Sequence, residues 1–333
     1  MVSTVTSSIH LDREPGIEDI DHLFEFRLKF RNRSRSTHFR EMTSIPAEFY
    51  ALANAFLFAL HNLFAKKALR TSNPATAVIS SLLINIIFLW GVSILFVPLS
   101  SLTSASILIF VGVGFFQPGL TRLLSYKGID ALGVAITDPI RATTPLFSAI
   151  MAIIFLGEKM TLPIVVATLM IIAGIILLSW RSGSMKLGGS AVFLWYPIAA
   201  SALAGATQVV RKFGMAAVPH PFLAAAVTAT SSFVVSVLTL WYVEKSQETW
   251  KMNRQCFWWF LAAGVTISLG MTCIYYALDL GKVSVVIPIS STGPFFSLIF
   301  AALFLRDVER VTLRIVLSAA MIIGGVVLLT IWK

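Results

Sequence analysis

Two charged side chains lie three residues apart inside an otherwise apolar stretch. Asp138 and Arg141 interrupt the run 131–156, which is long enough to cross a membrane. If this run is helical, residues three apart share one face, so the two side chains point the same way. A charge in hydrocarbon costs on the order of 3 kcal/mol, which favours a position facing a cavity or a partner. We expect either that Arg141 binds an anionic group and Asp138 an amine or a proton, or that the two form a structural ion pair.

Four prolines fall inside two of the apolar runs, and each removes a backbone hydrogen-bond donor. The carbonyl freed in this way must face a cavity, water or a neighbouring hydroxyl if the run lies in lipid. The prolines are Pro139, Pro145, Pro288 and Pro294. The hydroxyl residues beside them are Thr143, Thr144, Ser290, Ser291 and Thr292. The prolines are either hinges beside a solute pathway, with Ser290, Ser291 and Thr292 as solute-binding candidates, or packing kinks.

Further polar side chains interrupt other apolar runs. The additional candidates for solute binding are His61, Asn62, Gln117 and Gln208. For each of them taken singly, a hydrogen bond between helices is the more ordinary interpretation.

Charged residues also mark the ends of apolar runs. Cations in this position are expected to extend their charged groups to the membrane interface, with attraction of anions at the mouth of a cavity as the less favoured interpretation. They are Lys66, Lys67, Arg211 and Lys212. Glu158 and Glu309 are expected to complement the positive start of the helix that follows each of them.

The composition indicates which elements must position these residues. Of the 333 residues, 57% are hydrophobic and only 13% are charged, whereas a soluble domain carries about 25% charged residues. This excludes an ordinary cytosolic enzyme and a disordered protein. The net charge of +10 rests on single basic residues between apolar runs, which is typical of a membrane protein and not of nucleic-acid binding. The predicted membrane helices are 45–65, 76–97, 104–124, 131–156, 162–180, 190–210, 221–243, 256–278, 283–305 and 313–332.

Sequence motifs of enzymes and of ATP-driven pumps are missing. The chain has no G-x-x-x-x-G-K-[ST] phosphate loop, no H-E-x-x-H and no cluster of Cys and His. Cys256 and Cys273 give neither a disulfide framework nor a metal site. We therefore predict no catalytic activity, no cofactor and no metal.

Residues 1–43 differ in kind from the rest of the chain. They hold seven basic and seven acidic residues, and no apolar run follows a basic start, so the segment is not a signal peptide. We expect a flexible tail.

The two halves of the remaining chain repeat one another. Tyr126–Ser148 matches Tyr275–Ser297 at an offset of 149, with both prolines aligned. Further on the offset becomes 151, and MIIAGIILLSW at 170–180 matches MIIGGVVLLTIW at 321–332. Because five spans per copy is an odd number, the second copy must enter the membrane from the opposite side. Such an inverted repeat is typical of secondary transporters, whose binding site lies near the midplane between the halves.

Each copy has a proline-containing fourth span, then a glutamate, a threonine and a glycine-containing fifth span. In the first copy the motif residues are Pro139, Pro145, Leu146, Phe147, Phe155, Leu156, Gly157, Glu158, Thr161 and Gly174. In the second copy they are Pro288, Pro294, Phe295, Phe296, Phe304, Leu305, Glu309, Thr312 and Gly325. Over residues 45–332 these motifs resemble the EamA-type domain of the drug/metabolite transporter superfamily. The second copy departs from the pattern by two inserted residues ahead of Glu309.

The resemblance implies an all-α integral membrane protein of ten transmembrane helices, arranged as two inverted five-helix repeats at 44–182 and 188–333. Both termini, and so the tail 1–43, would be cytoplasmic, and the protein would lie in the plasma (inner) membrane. It implies a secondary carrier of a small organic metabolite or drug-like solute that works by alternating access. A lipid-handling, flippase-like protein on the same architecture stays open. The expected partners are the solute, the lipid bilayer and a coupling proton or other ion, with no nucleic acid, in a monomer or homodimer.

Overall fold

The chain folds into helices. The computed structural model describes residues 45–97, 105–179, 191–243, 252–304 and 313–332, and all regular structure within these ranges is helical. The predicted tail 1–43 and Glu309 lie outside the described residues.

The helices follow the predicted spans in both copies. The first copy comprises α1 Ala47–Ala68, α2 Pro74–Phe96, α3 Leu108–Gly114, α4 Thr121–Leu132, α5 Val134–Arg141, α6 Thr144–Met151 and α7 Leu162–Ser179. The second copy comprises α8 Trp195–Ala217, α9 Pro221–Val243, α10 Arg254–Leu280, α11 Val283–Ser290, α12 Gly293–Phe304 and α13 Leu313–Ile331. Wider π-helical turns at Phe115–Leu120 and Ala152–Leu156 follow α3 and α6. Short 3-10 turns at Ala105–Ile107 and Ala191–Leu194 precede α3 and α8.

Eight helical segments within the described ranges are long and apolar enough to cross a membrane. They are Ile79–Phe96, Ala105–Leu132, Ile136–Leu156, Val192–Ala217, Pro221–Thr239, Arg254–Leu280, Val283–Phe300 and Leu313–Ile331. A further apolar helix, Leu162–Leu178, is shorter. With α1 these segments match the ten predicted runs in order, and the count of ten spans stays a prediction.

Local sequence explains where several helices begin and end. Asn73, before α2, accepts a hydrogen bond from the Thr76 amide at 2.9 Å, and Asn253, before α10, accepts one from the Cys256 amide at 2.7 Å. Asparagine is among the preferred residues at this position because its side chain satisfies a free amide of the first turn. Gly133 separates α4 from α5 with a φ of 82°, in the region that favours glycine.

The fourth span of each copy is broken at the same place. In the first copy α5 ends at Arg141 and α6 begins at Thr144. In the second copy α11 ends at Ser290 and α12 begins at Gly293. These boundaries correspond at the offset of 149 found in the sequence, so both copies form the same backbone break.

The four prolines account for this break. Pro139 and Pro288 lie inside α5 and α11, two residues before those helices end. Pro145 and Pro294 lie in the second position of α6 and α12, where a helix has no use for the missing amide. Each span therefore stops and restarts where its prolines interrupt the hydrogen-bond ladder.

The last helices of the two copies, α7 and α13, cross through two glycines. A Cβ added to Gly174 would lie 2.8 Å from Cγ1 of Ile322, and a Cβ added to Gly325 would lie 2.6 Å from Cγ1 of Ile171. Gly174, which follows Ile171 on α7, faces Ile322, and Gly325, which follows Ile322 on α13, faces Ile171. The two helices therefore run antiparallel. Because Gly174 and Gly325 match at the offset of 151, the contact is the same from either side, as at a two-fold interface.

Contacts elsewhere between the copies also occur in reciprocal pairs. α1 packs against α10 and α12, and its counterpart α8 packs against α4 and α6. Ala47, Ala51, Ala55 and Ala59 of α1 recur every fourth residue and are all buried, so this face of α1 allows neighbouring helices to approach closely. The core thus lies between the copies, and the polar groups described next lie at its helix contacts.

Candidate functional site

A chain of polar side chains joins the two copies. Nε2 of Gln208 on α8 donates a hydrogen bond to Oε1 of Gln117 at 3.0 Å. Oε1 of Gln208 accepts one from Nη1 of Arg211 at 3.2 Å. Gln117 reaches this position because its backbone leaves helical geometry, with φ −137° and ψ 118°, just before Pro118. The structure therefore brings two of the predicted site residues into direct contact and adds Arg211 to them.

Arg211 is a buried cation, with 8% of the residue exposed. Its guanidinium carbon lies 5.5 Å from the ring centre of Tyr275, and its Nε atom has no hydrogen-bond partner among the described residues. No carboxylate of the described ranges lies within ion-pair distance of it. A charge in a membrane-spanning segment without an anionic partner costs on the order of 3 kcal/mol.

Tyr275 and Thr228 form the far side of this cluster. The Tyr275 hydroxyl lies 2.5 Å from Oγ1 of Thr228, and the Tyr275 ring packs edge-on against Phe110 at 5.6 Å. All three of these residues are buried. The cluster therefore combines residues of both copies, and the Tyr275 ring offers its electron-rich face to the guanidinium.

The expectation that Arg211 extends to the membrane interface is wrong because the residue is buried, whereas the same expectation for Lys212 stays a prediction. α8 continues to Ala217, beyond the predicted end of the span at 210, so both cations lie inside the helix. Arg211 is buried, and Nζ of Lys212 donates a hydrogen bond to the carbonyl of Leu278 at 2.7 Å and a second one to that of Gly281. Lys212 thus binds the carboxyl end of α10, where helix carbonyls attract a positive charge.

Asp138 and Arg141 form a loose ion pair. Nη1 of Arg141 lies 3.8 Å from Oδ1 of Asp138, and the Arg141 and Asp138 side chains are 49% and 43% exposed. Their helix α5 packs against α4 and α7 of the same copy and α8 of the other. The hydroxyl of Ser201 on α8 donates to the carbonyl of Ile140 at 3.1 Å. The pair thus lies beside the contact between the copies, and its role in solute binding stays a prediction.

Hydroxyl side chains satisfy carbonyls at both breaks. In the first copy Thr143 donates to Ile140 at 2.6 Å and Thr144 to Arg141 at 2.8 Å.

The second copy repeats this arrangement. Ser291 donates to the carbonyl of Ile287 at 2.9 Å, and Thr292 donates to that of Ile289 at 2.8 Å. Ser290 donates to Ala51 of α1 at 3.4 Å. Of these carbonyls, that of Arg141 lies four residues before Pro145, so a hydroxyl satisfies the carbonyl that this proline frees. The carbonyls of Ile287 and Ile289 accept backbone amides as well.

His61 and Asn62 do not join the polar chain around Arg211. Nδ1 of His61 donates to the carbonyl of Ala263 on α10 at 2.9 Å, which is the interhelical hydrogen bond that the sequence favoured. Asn62 is exposed. Asn54, which the sequence analysis missed, donates to Gly270 on the same helix at 2.8 Å.

Glu158 caps a helix of the other copy and not the helix that follows it. Its Oε1 accepts a hydrogen bond from the Val283 amide at 2.8 Å, and its Oε2 accepts from the Ser284 amide at 3.0 Å and the Ser284 hydroxyl at 2.6 Å. These groups begin α11, so the carboxylate meets the positive end of a helix, as expected, but of a different helix. The sequence could not show this because the partners are 125 and 126 positions apart.

Arg211, Tyr275 and Thr228 are the residues of this site that the sequence analysis did not select. A signal for Arg211 was present, since it follows Gln208 by three residues and so shares its helix face. Tyr275 carried a second signal, because it matches Tyr126 at the repeat offset. Among the described residues, no group of three or more His, Cys, Asp and Glu side chains could hold a metal ion.

The fold is similar to that of known proteins. A solved crystal structure aligns with 86% of this chain and 96% of its own length, with a TM-score of 0.70 and 14% sequence identity. Uncharacterized protein MJ1333.1 of Methanocaldococcus jannaschii is 38% identical over 71 residues, which is 21% of this chain and 50% of that protein. The chain thus spans about half the length of this curated relative.

The model of the EamA-like transporter family matches residues 45–180 and again residues 191–331. The two matches coincide with the two copies described above and confirm the resemblance seen in the sequence motifs. This chain therefore belongs to the EamA-like transporter family and is an integral, multi-pass membrane protein.

Proposed function

We propose that this protein is a secondary carrier that moves a small organic solute across the membrane by alternating access between its two copies. The observation that supports this most directly is the antiparallel crossing of α7 and α13 through matched glycines. It relates the copies as an inverted repeat, and such repeats rock against each other around a site between them.

The rocking of the two copies can occur at the broken fourth spans. Both interrupt their hydrogen-bond ladder at equivalent residues, and the prolines Pro139, Pro145, Pro288 and Pro294 are the proposed hinges. The solute contacts residues of both copies, so a change in the angle between the copies changes the side from which it is accessible. The family match does not favour the lipid-handling alternative.

The proposal includes ten spans as two inverted sets of five, with both termini in the cytoplasm. The solute-binding surface is assigned to Gln117 and Gln208, with Asp138, Arg141 and the hydroxyls of Ser290, Ser291 and Thr292 along the route. A gradient of the solute or of an ion such as the proton drives transport.

Uptake by the full-length protein in sealed vesicles tests this function. The purified protein is reconstituted into liposomes and given labelled metabolites that are first selected by thermal stabilisation. We expect saturable uptake of at least one of them without ATP, and faster uptake when a proton gradient is imposed if the proton is coupled. Vesicles with heat-inactivated protein are the control.

A protein that moves no solute of the panel and scrambles labelled lipids instead would contradict the carrier function. Uptake that requires ATP would contradict its secondary character.

A further inference from the structure

We propose that Arg211 is the anion-recognition residue of this carrier and that the transported solutes bear a carboxylate or another small oxyanion. The inference rests on the proposed function, since it names the substrate class of the same route. It places the anion site not at Arg141, for which the sequence left anion binding as one of two alternatives, but at a residue of α8 that was expected at the membrane interface.

The cluster around Arg211 carries an unbalanced positive charge. Arg211 is 8% exposed, and the side chains that contact it are neutral: Gln208 by a hydrogen bond and Tyr275 through its ring. A buried cation normally has an anion as its partner. Within the described ranges no carboxylate of the protein takes this place, so an anionic group of the solute is the natural partner.

The donors of the Arg211 guanidinium have the geometry that a carboxylate needs. A guanidinium has five N–H donors in one plane, and Gln208 accepts from only one of its terminal nitrogens, Nη1. The buried Nε has no hydrogen-bond partner among the described residues. An Nε–H and a terminal N–H together form the fork that binds both oxygens of a carboxylate. An ammonium could not offer this arrangement, which distinguishes Arg211 from the neighbouring Lys212.

The guanidinium of Arg211 is held in place by its neighbours. Gln208 accepts from Arg211 and donates to Gln117, so the amide connects the guanidinium to the broken third span of the other copy. The Tyr275 ring lies on the guanidinium at 5.5 Å, and its hydroxyl is fixed by Thr228. A preorganised cation loses little freedom when it binds its anion.

Arg141 is less suited to the same task. It is half exposed and lies 3.8 Å from the Asp138 carboxylate, so the pair as a whole is neutral. A solute anion would have to compete with Asp138 for Arg141, whereas it meets no competing carboxylate at Arg211.

The test compares acids with their uncharged amides as probes. The full-length protein in detergent is titrated with succinate, benzoate and inorganic phosphate, and with succinamide and benzamide as neutral analogues, and its thermal unfolding temperature is recorded. We expect at least one of the anions to raise this temperature, and the amide of a stabilising acid to leave it unchanged. No stabilisation by any anion, or equal stabilisation by acid and amide, would overturn the proposal.

Variants then locate the site. Arg211→Gln should weaken binding of the stabilising anion at least 100-fold. Arg211→Lys keeps the charge but loses the fork, so it should weaken binding of a carboxylate about tenfold, and it provides the test if the glutamine variant does not fold. Arg70→Gln makes the same change at an exposed arginine at the end of α1 and should leave binding unchanged.

Wild-type affinity in both Arg211 variants would overturn the proposal, as would loss of binding in Arg141→Gln with binding intact in Arg211→Gln. Uptake in vesicles separates this inference from the carrier function. If the wild type binds the anion through Arg211 but moves no solute, the anion site stands and the carrier function fails. If solutes are moved and Arg211→Gln leaves the preference for acids unchanged, the carrier function stands and the anion site fails.

Discussion

The broken fourth spans of the two copies share a backbone and differ in their surroundings. Every residue of α11 from Val283 to Ile289 is buried, and Glu158 of the other copy caps its start. The equivalent helix α5 follows a glycine with a φ of 82° and ends in the half-exposed pair of Asp138 and Arg141. In the second copy the helix before the break is enclosed in the core, whereas in the first copy the equivalent helix keeps a charged, accessible face.

The difference shows which features of a duplicated element are fixed by the backbone and which are free to change. The prolines alone are enough to break the helix in both copies, because they act on the hydrogen-bond ladder whatever the neighbouring side chains are. The side chains then decide whether neighbouring helices bury and cap the broken helix. We infer that α11 of the second copy keeps its position during transport, and that α5 of the first copy provides charged side chains along the solute route.

The largest expected effect tests the equivalence of the copies at the α7–α13 crossing. Gly325→Ala should destabilise the protein by about 1–3 kcal/mol or more, because its Cβ would lie 2.8 Å from the backbone oxygen of Ala167 and 2.6 Å from Ile171. Gly174→Ala should have a similar effect, since its Cβ would lie 3.0 Å from the backbone oxygen of Ser318. Thermal unfolding and size-exclusion profiles in detergent measure both.

Gly324→Ala is the matched control for this prediction. Its added Cβ would meet only the end of the flexible Met170 side chain, at 3.2 Å. We expect wild-type behaviour from it. Equal losses at Gly324 and Gly325, or a loss in one copy and none in the other, would contradict the two-fold equivalence of the crossing.

A smaller effect tests whether α11 is held by the other copy. Glu158→Ala removes the acceptor of three hydrogen bonds and should lower stability by about 0.5–2 kcal/mol, as the loss of a helix cap does. Ser284→Ala removes only the hydroxyl bond and should cost less. Lys159→Ala, an exposed neighbour, is the control in the same unfolding measurement. A Glu158 variant as stable as this control would show that α11 needs no cap.

The smallest effect on stability is expected at the accessible break. Asp138→Asn and Arg141→Gln should each change the free energy of unfolding by less than about 1 kcal/mol, because half-exposed ion pairs contribute little. If the Arg211 proposal holds, Arg141→Gln lowers uptake only a few-fold. The measurement is solute uptake by a folded Arg141→Gln protein. Complete loss of uptake in this variant would indicate that the anion binds to α5 and not to Arg211.

The sequence predicted the architecture because its strongest signals are local or periodic. Apolar runs of about 20 residues locate membrane helices in any context, and the offset of 149 between Pro139 and Pro288 placed equivalent breaks in both copies. The motif placed a glycine in the fifth span of each copy, and these residues, Gly174 and Gly325, form the crossing of α7 and α13. None of these inferences needs knowledge of which helices are neighbours.

The candidate site was predicted less well because it depends on which helices are neighbours in the fold. Gln117 and Gln208 were selected as polar residues in apolar runs, and their direct contact is visible only in the fold. Arg211 was missed because the predicted span ended one residue before it, which placed a buried cation at the interface. Glu158 was assigned to the helix next in sequence, whereas the helix nearest in space is α11.

Lys212 has a consequence for how this protein can evolve. Two of its hydrogen bonds end on backbone carbonyls, those of Leu278 and Gly281. A backbone acceptor is present whichever side chain occupies position 278, whereas a Cβ at Gly281 would lie 2.6 Å from Cβ of Ala47. Side-chain changes at position 278 therefore leave the orientation of α8 in place. Selection for a new solute can then act on the amides of Gln117 and Gln208 while the direction of the adjacent Arg211 is preserved across descendants.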